Sequence, residues 1–93
     1  IMKKYRVYML ECSDGTIYTG ITTDWKRRLN EHNSGKGAKY VSKRIPAHIV
    51  YLSHLIGNRS DAMKVEYGIK QWNRRKKLSW IKANERETKE RIL

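Results

Sequence analysis

Five side chains in this sequence are of the types, and at the spacings, that phosphodiester chemistry uses. Tyr8 and Tyr18 stand in two apolar stretches on either side of Ser13-Asp14-Gly15, Arg28 and His32 lie one helical turn apart, and Glu66 sits inside a later helical pattern. Arg28 offers a forked set of donors that matches a phosphate. A lone Glu66 is too little for a metal cage, yet Mg²⁺ commonly binds through one or two carboxylates together with substrate phosphate and water. A tyrosine ordinarily titrates near pH ~10, so one acting as a base needs neighbouring cations or a neighbour that takes its proton. The other familiar hydrolytic sets are missing: there is no H-E-x-x-H and no Cys-x-x-Cys, and Gly35-Lys36-Gly37 lacks the rest of a P-loop. Each of the five also has a plainer use. The tyrosines suit strand packing, Arg28 and His32 suit a solvated helix face, and Glu66 has Lys70 at i+4 as an ordinary ion-pair partner.

The elements that must position these groups follow from the pattern. Residues 5–11 and 16–22 are rich in aromatic and β-branched residues and read as a hairpin around Ser13-Asp14-Gly15. A two-residue loop would put Tyr8 and Tyr18 on opposite faces of the sheet. A three-residue loop with Gly15 left-handed pairs Leu10 with Tyr18 and keeps both tyrosines on one face, and this is the register expected. Thr23 or Asp24 caps a helix from Trp25 to about Asn33, with Trp25 and Leu29 as its buried pair. Asn33 to Lys39 reads as an adjustable basic loop. A strand follows from about His48 to Leu55, and the overlapping stretch Ile49 to Asn58 carries no charge, as expected of a strand buried on both faces. Ser60 or Asp61 opens the longest helix, whose core stripe is Ala62, Val65, Ile69 and Trp72, with Glu66 half-shielded just beyond its edge. A further helix carries Leu78 and Ile81, and residues 83–93, balanced in charge, are expected to fray.

Ninety-three residues make one small domain with one modest core. Ile1, ahead of Met2, is set aside as extraneous. The single cysteine, Cys12, fits a reducing, cytoplasmic setting, and no apolar run approaches the ~20 residues of a membrane span. The net charge of +12 is not spread evenly: residues 24–48 carry +5 and residues 59–82 carry +6. Two basic blocks converging on one face would make the footprint of a polyanion binder. Arg27, Lys36, Lys39, Tyr40, Lys43, Arg44, Arg74 and Arg75 are the residues of these blocks expected to meet nucleic acid.

Taken in order, Arg6-Val7-Tyr8, Tyr18-Thr19-Gly20, the run Asp24 to His32, Gly37-Ala38-Lys39-Tyr40 and Glu66 before Ile69-Lys70 resemble the GIY-YIG nuclease domain, most closely its small stand-alone bacterial members. The resemblance implies an α/β (α+β) fold with a small three-stranded antiparallel sheet flanked by helices. It implies hydrolysis of nucleic-acid phosphodiesters, DNA above all, with a single divalent ion, Mg²⁺ or Mn²⁺, by a monomer serving repair or recombination, within a larger assembly if any. Carried over, Tyr8 is the general base, Tyr18 its partner, Arg28 the contact to the scissile phosphate, His32 an assistant at that centre and Glu66 the metal ligand. Gly20 has the structural role of allowing close approach at the strand end. Two departures stand out: Arg6 replaces the glycine of the first signature, and Ile21 stands where some members place a lysine. A second reading keeps the fold as a non-catalytic module that binds DNA or structured RNA.

Overall fold

A computed structural model describes residues 3–93, and Ile1 falls outside them. Three strands, β1 (Arg6–Glu11), β2 (Ile17–Thr22) and β3 (His48–Leu52), form an antiparallel sheet in the order β2-β1-β3. The hairpin closes through a three-residue loop. The Cys12 N–H donates to the Thr16 carbonyl, Gly15 adopts φ +84°, and Leu10 pairs with Tyr18 while Tyr8 faces Gly20. Only a residue without Cβ takes that positive φ at little cost, which is why the register follows from Gly15.

The central strand is β1, with Tyr8 and Leu10 buried on one face and Val7 and Met9 on the other. This differs from the expectation for the uncharged stretch after Ile49. β3 stops at Leu52, short of Leu55, and lies at an edge of the sheet. Its lack of charge reflects what covers that edge. Residues 83–93, expected to fray, instead form α5 (Glu85–Ile92) against β3. Leu52 N–H, which points away from β1, donates to Thr88 Oγ1 at 3.2 Å, Arg91 Nη1 donates to the Leu52 carbonyl at 3.0 Å, and Ile92 packs on the core. The outward N–H and C=O of Leu52 are thus taken up by α5 and are closed to a further strand.

On the Tyr8 face lie α1 (Trp25–Asn33) and the short α2 (Lys39–Ser42). Asp24 caps α1 by accepting from the Arg27 N–H. The expected buried pair Trp25 and Leu29 is only half-buried, whereas His32 is wholly enclosed. The expected loop runs between α1 and α2, and α2, which follows it, seats Val41 in the core. Ile69 of α3 (Arg59–Lys70) packs on the opposite face with Trp72, and so does Ile81 of α4 (Arg74–Ala83). Asn58, not Ser60 or Asp61, caps α3, its Oδ1 accepting from the Asp61 N–H at 2.8 Å. Ala62 and Ile69 are buried as expected, but Val65 is exposed. At about 100° per residue, Val65 and Glu66 flank that seam on either side. The helix is turned so that the Glu66 side chain, 19% exposed, has the inner position.

Candidate active site

Tyr8, buried on the central strand, is the hub. Its hydroxyl lies 2.7 Å from His32 Nε2. On the far side of that imidazole, Ala38 N–H donates to Nδ1 at 3.3 Å. A backbone amide can only donate, so Nδ1 must accept, and the proton of the neutral ring therefore sits on Nε2. His32 accordingly donates to Tyr8, and the tyrosine's own O–H is left to point elsewhere. Burial, assisted by the positive charge of Arg28, drives His32 down to about 4, so the ring is neutral at physiological pH. His32 cannot take a proton from Tyr8. It holds the phenol oxygen in place and would stabilise a phenolate there.

Burial likewise pushes Tyr8 up to about 12, with hydrogen bonding to Arg28 acting against the rise and the charges of Tyr18 and Glu66 adding to it. Arg28 is therefore the cation that favours ionisation, and Glu66 stands close enough to oppose it. Arg28 is steadied by Glu31 Oε1 at 3.0 Å and remains a third exposed. Gly20 lets this cluster form, since a Cβ there would sit 2.5 Å from the Tyr8 hydroxyl.

Tyr18 does not hydrogen-bond Tyr8; the two rings are 6.4 Å apart and tilted. Tyr18 meets the His32 ring edge-on at 5.4 Å and stacks with Tyr40 at 6.2 Å. Glu66 pairs with Lys70 at 3.6 Å, and Lys70 Nζ also lies 5.9 Å from the Tyr18 ring centre. Lys70 was not singled out as a site cation from sequence. Yet the i+4 spacing that identified its pair with Glu66 places it here.

Among the described residues no three His, Cys, Asp or Glu side chains gather as an all-protein metal cage. One half-shielded carboxylate facing the Tyr8–Arg28 cluster does fit a hard divalent ion that completes its shell with phosphate oxygens and water. Glu66 is the residue that would hold it. His32 is excluded as a ligand because both of its nitrogens are engaged.

The residues expected to meet nucleic acid divide into two groups. Arg27, Lys36, Lys39, Tyr40, Lys43 and Arg75 are exposed. Arg44 instead pairs with Asp14 at 3.0 Å, donates to the Tyr40 carbonyl and lies 3.8 Å over the Tyr40 ring. Arg74 donates to the Gly15 carbonyl at 2.8 Å. Both arginines brace the β1–β2 turn, a role that composition could not separate from phosphate binding.

Sequence reasoning missed two contributors. A Cβ on Gly37 would collide with His32 Nδ1 and come within 2.8 Å of the His32 Cα, so the glycine lets the loop close over the ring. Ala38 supplies the amide that fixes the tautomer. The Gly35-Lys36-Gly37 punctuation was the available signal, but it reads equally well as a flexible loop. An indentation of about 590 Å³ is lined by Arg59, Ser60, Met63, Lys64 and Tyr67 of one helix face and includes none of the five side chains.

The GIY-YIG catalytic domain model matches residues 4–79. A UPF0213 protein of Streptococcus agalactiae serotype V is 52% identical over 81 residues, covering 87% of this chain and 91% of its own. A UPF0213 protein of Staphylococcus aureus (strain Mu3) is 46% identical, covering 87% and 98%. The solution NMR structure of a UPF0213 protein from Bacillus halodurans superimposes with a TM-score of 0.57 at 43% identity, covering 88% of this chain and 86% of that one. A solution NMR structure from E. faecalis gives 0.59 at 41% identity, covering 87% and 85%.

Proposed function

The chain belongs to the GIY-YIG catalytic domain family, and from that membership we propose that it is a divalent-metal-dependent endonuclease acting on DNA, selective for structure more than for sequence. The observation that carries this reading is the convergence on the Tyr8 hydroxyl of a neutral His32 donor and the influence of Arg28 and Glu66. In the reaction, a water oxygen attacks phosphorus and the bond to one ester oxygen breaks. Tyr8, as phenolate, accepts the proton of the attacking water, and the departing oxygen takes a proton from solvent. Arg28 neutralises charge on the phosphate as it builds, where preorganised charge contributes most. His32 positions Tyr8 and donates to its oxygen while that oxygen is ionised. Tyr18, packed between His32 and Tyr40, orients the ring cluster. Mg²⁺ or Mn²⁺ on Glu66, when bound, supplies further charge neutralisation at the phosphate. The proposed setting is the cytoplasm, with repair or recombination intermediates as substrates for a monomer or for an assembly containing it.

The test is a cleavage panel of duplex, flap, branched and single-stranded DNA with matching RNA, with and without Mg²⁺, using Glu66→Ala as control. Cutting by wild type that falls at least ~10²-fold in the variant supports the reading. Equal cutting by both removes Glu66 from the mechanism.

One observation favours a nucleic-acid-binding module without catalysis: Tyr8, at about 12, keeps its proton at neutral pH. That module would bind DNA or RNA with no selective Mg²⁺ or Mn²⁺ response at Glu66. A metal titration followed by chemical shift separates the two readings.

A further inference from the structure

Where β2 ends and α1 begins, the surface opens into a polar cleft. It has a volume of about 320 Å³, and its walls include Lys3, Tyr5, Thr23, Arg27, Arg28 and Glu31. Arg28 lines this cleft and also acts on the Tyr8 hydroxyl, so it is the side chain the two places share. The charge balance is one-sided. The only carboxylate in the wall, Glu31, is already bonded to Arg28 at 3.0 Å. Among the described residues, neither Lys3 nor Arg27 has a carboxylate within ion-pair distance, whereas Arg44, Lys70, Arg86 and Lys89 each do. Two unpaired cations thus share a recess with the arginine read as the scissile-phosphate contact. Tyr5 adds a half-buried aromatic wall, its backbone fixed by reciprocal hydrogen bonds with Ile56, and Thr23 adds an exposed hydroxyl. Unpaired cations call for an anion, and an aromatic wall beside them suits a base or sugar. The volume lies at the small end of ligand pockets, which span about 300–1,000 Å³. The recess is of a size to seat a ligand of about one nucleotide.

We propose that this cleft receives the unpaired nucleotide adjoining the scissile phosphate, with its own phosphate between Lys3 and Arg27 and its base against Tyr5. The inference rests on the nuclease reading of Arg28 and deepens it, by making the substrate class a strand that is single or splayed at the cut.

The experiment titrates wild type with hexathymidylate and with a short duplex, without divalent metal and at low salt, while following backbone amides. The expected result is that Tyr5, Thr23 and Arg27 shift with the single strand and not with the duplex. Lys3→Ala and Arg27→Ala should each lower the slope of log affinity against log salt by about 0.7, the loss of one single-strand phosphate contact. Tyr5→Leu should weaken binding about 5- to 100-fold with the slope unchanged. Tight binding whose shifts bypass the cleft and whose slopes are unaltered in both cation variants overturns the cleft and leaves the nuclease reading intact. Equal duplex shifts overturn the unpaired-strand assignment. If no nucleic acid binds even at low salt, the cleft and the nuclease reading fall together.

Discussion

His32 Nε2 and the Tyr8 hydroxyl lie 2.7 Å apart in a buried pair, and the backbone amide of Ala38 decides which of them donates. Because Nδ1 accepts from that amide, Nε2 carries the proton, and protonating Nδ1 would set N–H against N–H. The ring therefore resists acid, with its pKa driven to about 4 by burial and Arg28. An unfolded histidine titrates near ~6.5, so between there and about 4 the unfolded chain binds a proton that the folded one refuses. Stability from this group is complete above that window and is lost as pH falls through it, by roughly 3 kcal/mol in all. Denaturant titrations of wild type should show the loss between pH 6.5 and 4.5. His32→Gln, which cannot titrate, should be flatter there. Nitrogen chemical shifts of His32 at pH 7 provide the second check, since an Nδ1–H tautomer would sink the assignment even if the variant failed to fold.

Two glycines should prove intolerant of a single methyl group. Gly37→Ala sets a Cβ against His32 Nδ1 and 2.8 Å from the His32 Cα. A backbone atom cannot swing aside, so overpacking on the order of 1–3 kcal/mol is expected. Gly20→Ala meets the Tyr8 phenol, with 2.6 Å to Cζ, and should move the ring away from Arg28. Gly57→Ala, where no atom lies within 4 Å, is the control and should unfold like wild type. Thermal unfolding of all three decides it, and a Gly37→Ala midpoint equal to that of Gly57→Ala would show that the loop does not close on His32.

How much of this could be read from the sequence differs by element. The hairpin was legible because Gly15 alone in Ser13-Asp14-Gly15 accepts φ +84°, and that one residue fixes which tyrosines share a face. Glu66 was legible as half-shielded because its angle to Ala62 and Ile69 follows from helical periodicity, although the same angle could not say that Val65 would be the exposed neighbour. Long-range contacts were not legible. Nothing local in residues 83–93 announces that Thr88 and Arg91 meet Leu52, and nothing in a Gly-rich loop announces a histidine ring beneath it. For the same reason the bonds of Arg44 and Arg74 to the distant turn around Asp14 and Gly15 could not be read from the basic blocks.

Lys70 should compete with a divalent ion for Glu66. Its ammonium is 3.6 Å from the carboxylate and half-exposed, which makes the pair a weak one, worth about 0.2–1 kcal/mol. Replacing it by Met, which keeps the length and loses the charge, should tighten Mn²⁺ binding by up to about fivefold. Paramagnetic broadening at Glu66 in wild type and Lys70→Met measures this without any reaction. Weaker binding in the variant would mean that Lys70 supports the ion's shell instead of opposing it.

The α5 clasp predicts a specific cost at the β3 edge. Thr88→Val preserves shape but removes the acceptor of the buried Leu52 N–H, which should destabilise by about 1–3 kcal/mol. Thr88→Ser restores the hydroxyl and should recover most of that. Hydrogen exchange reports on the right atom. The Leu52 amide should exchange faster in Thr88→Val than in wild type or Thr88→Ser, and uniform protection in all three would mean that the edge is not held by this bond.

The pH dependence of cleavage separates a Tyr8 that accepts a proton from one that only donates. With burial raising it to about 12, Tyr8 is almost wholly protonated across the neutral range, and its phenolate fraction grows tenfold with each unit of pH below that point. A single-turnover rate that depends on the phenolate must therefore climb by about tenfold per unit from pH 6 to 9. Tyr8→Phe should lower the rate at least ~10²-fold and erase the slope. A phenol serving only as a hydrogen-bond donor to the phosphate would give the opposite signature, with a level wild-type profile that Tyr8→Phe lowers by the same factor at every pH. Because His32 holds its Nε2–H throughout this range, it contributes no inflection of its own. The slope can then be assigned to Tyr8, and its absence would leave the water without a base in this cluster.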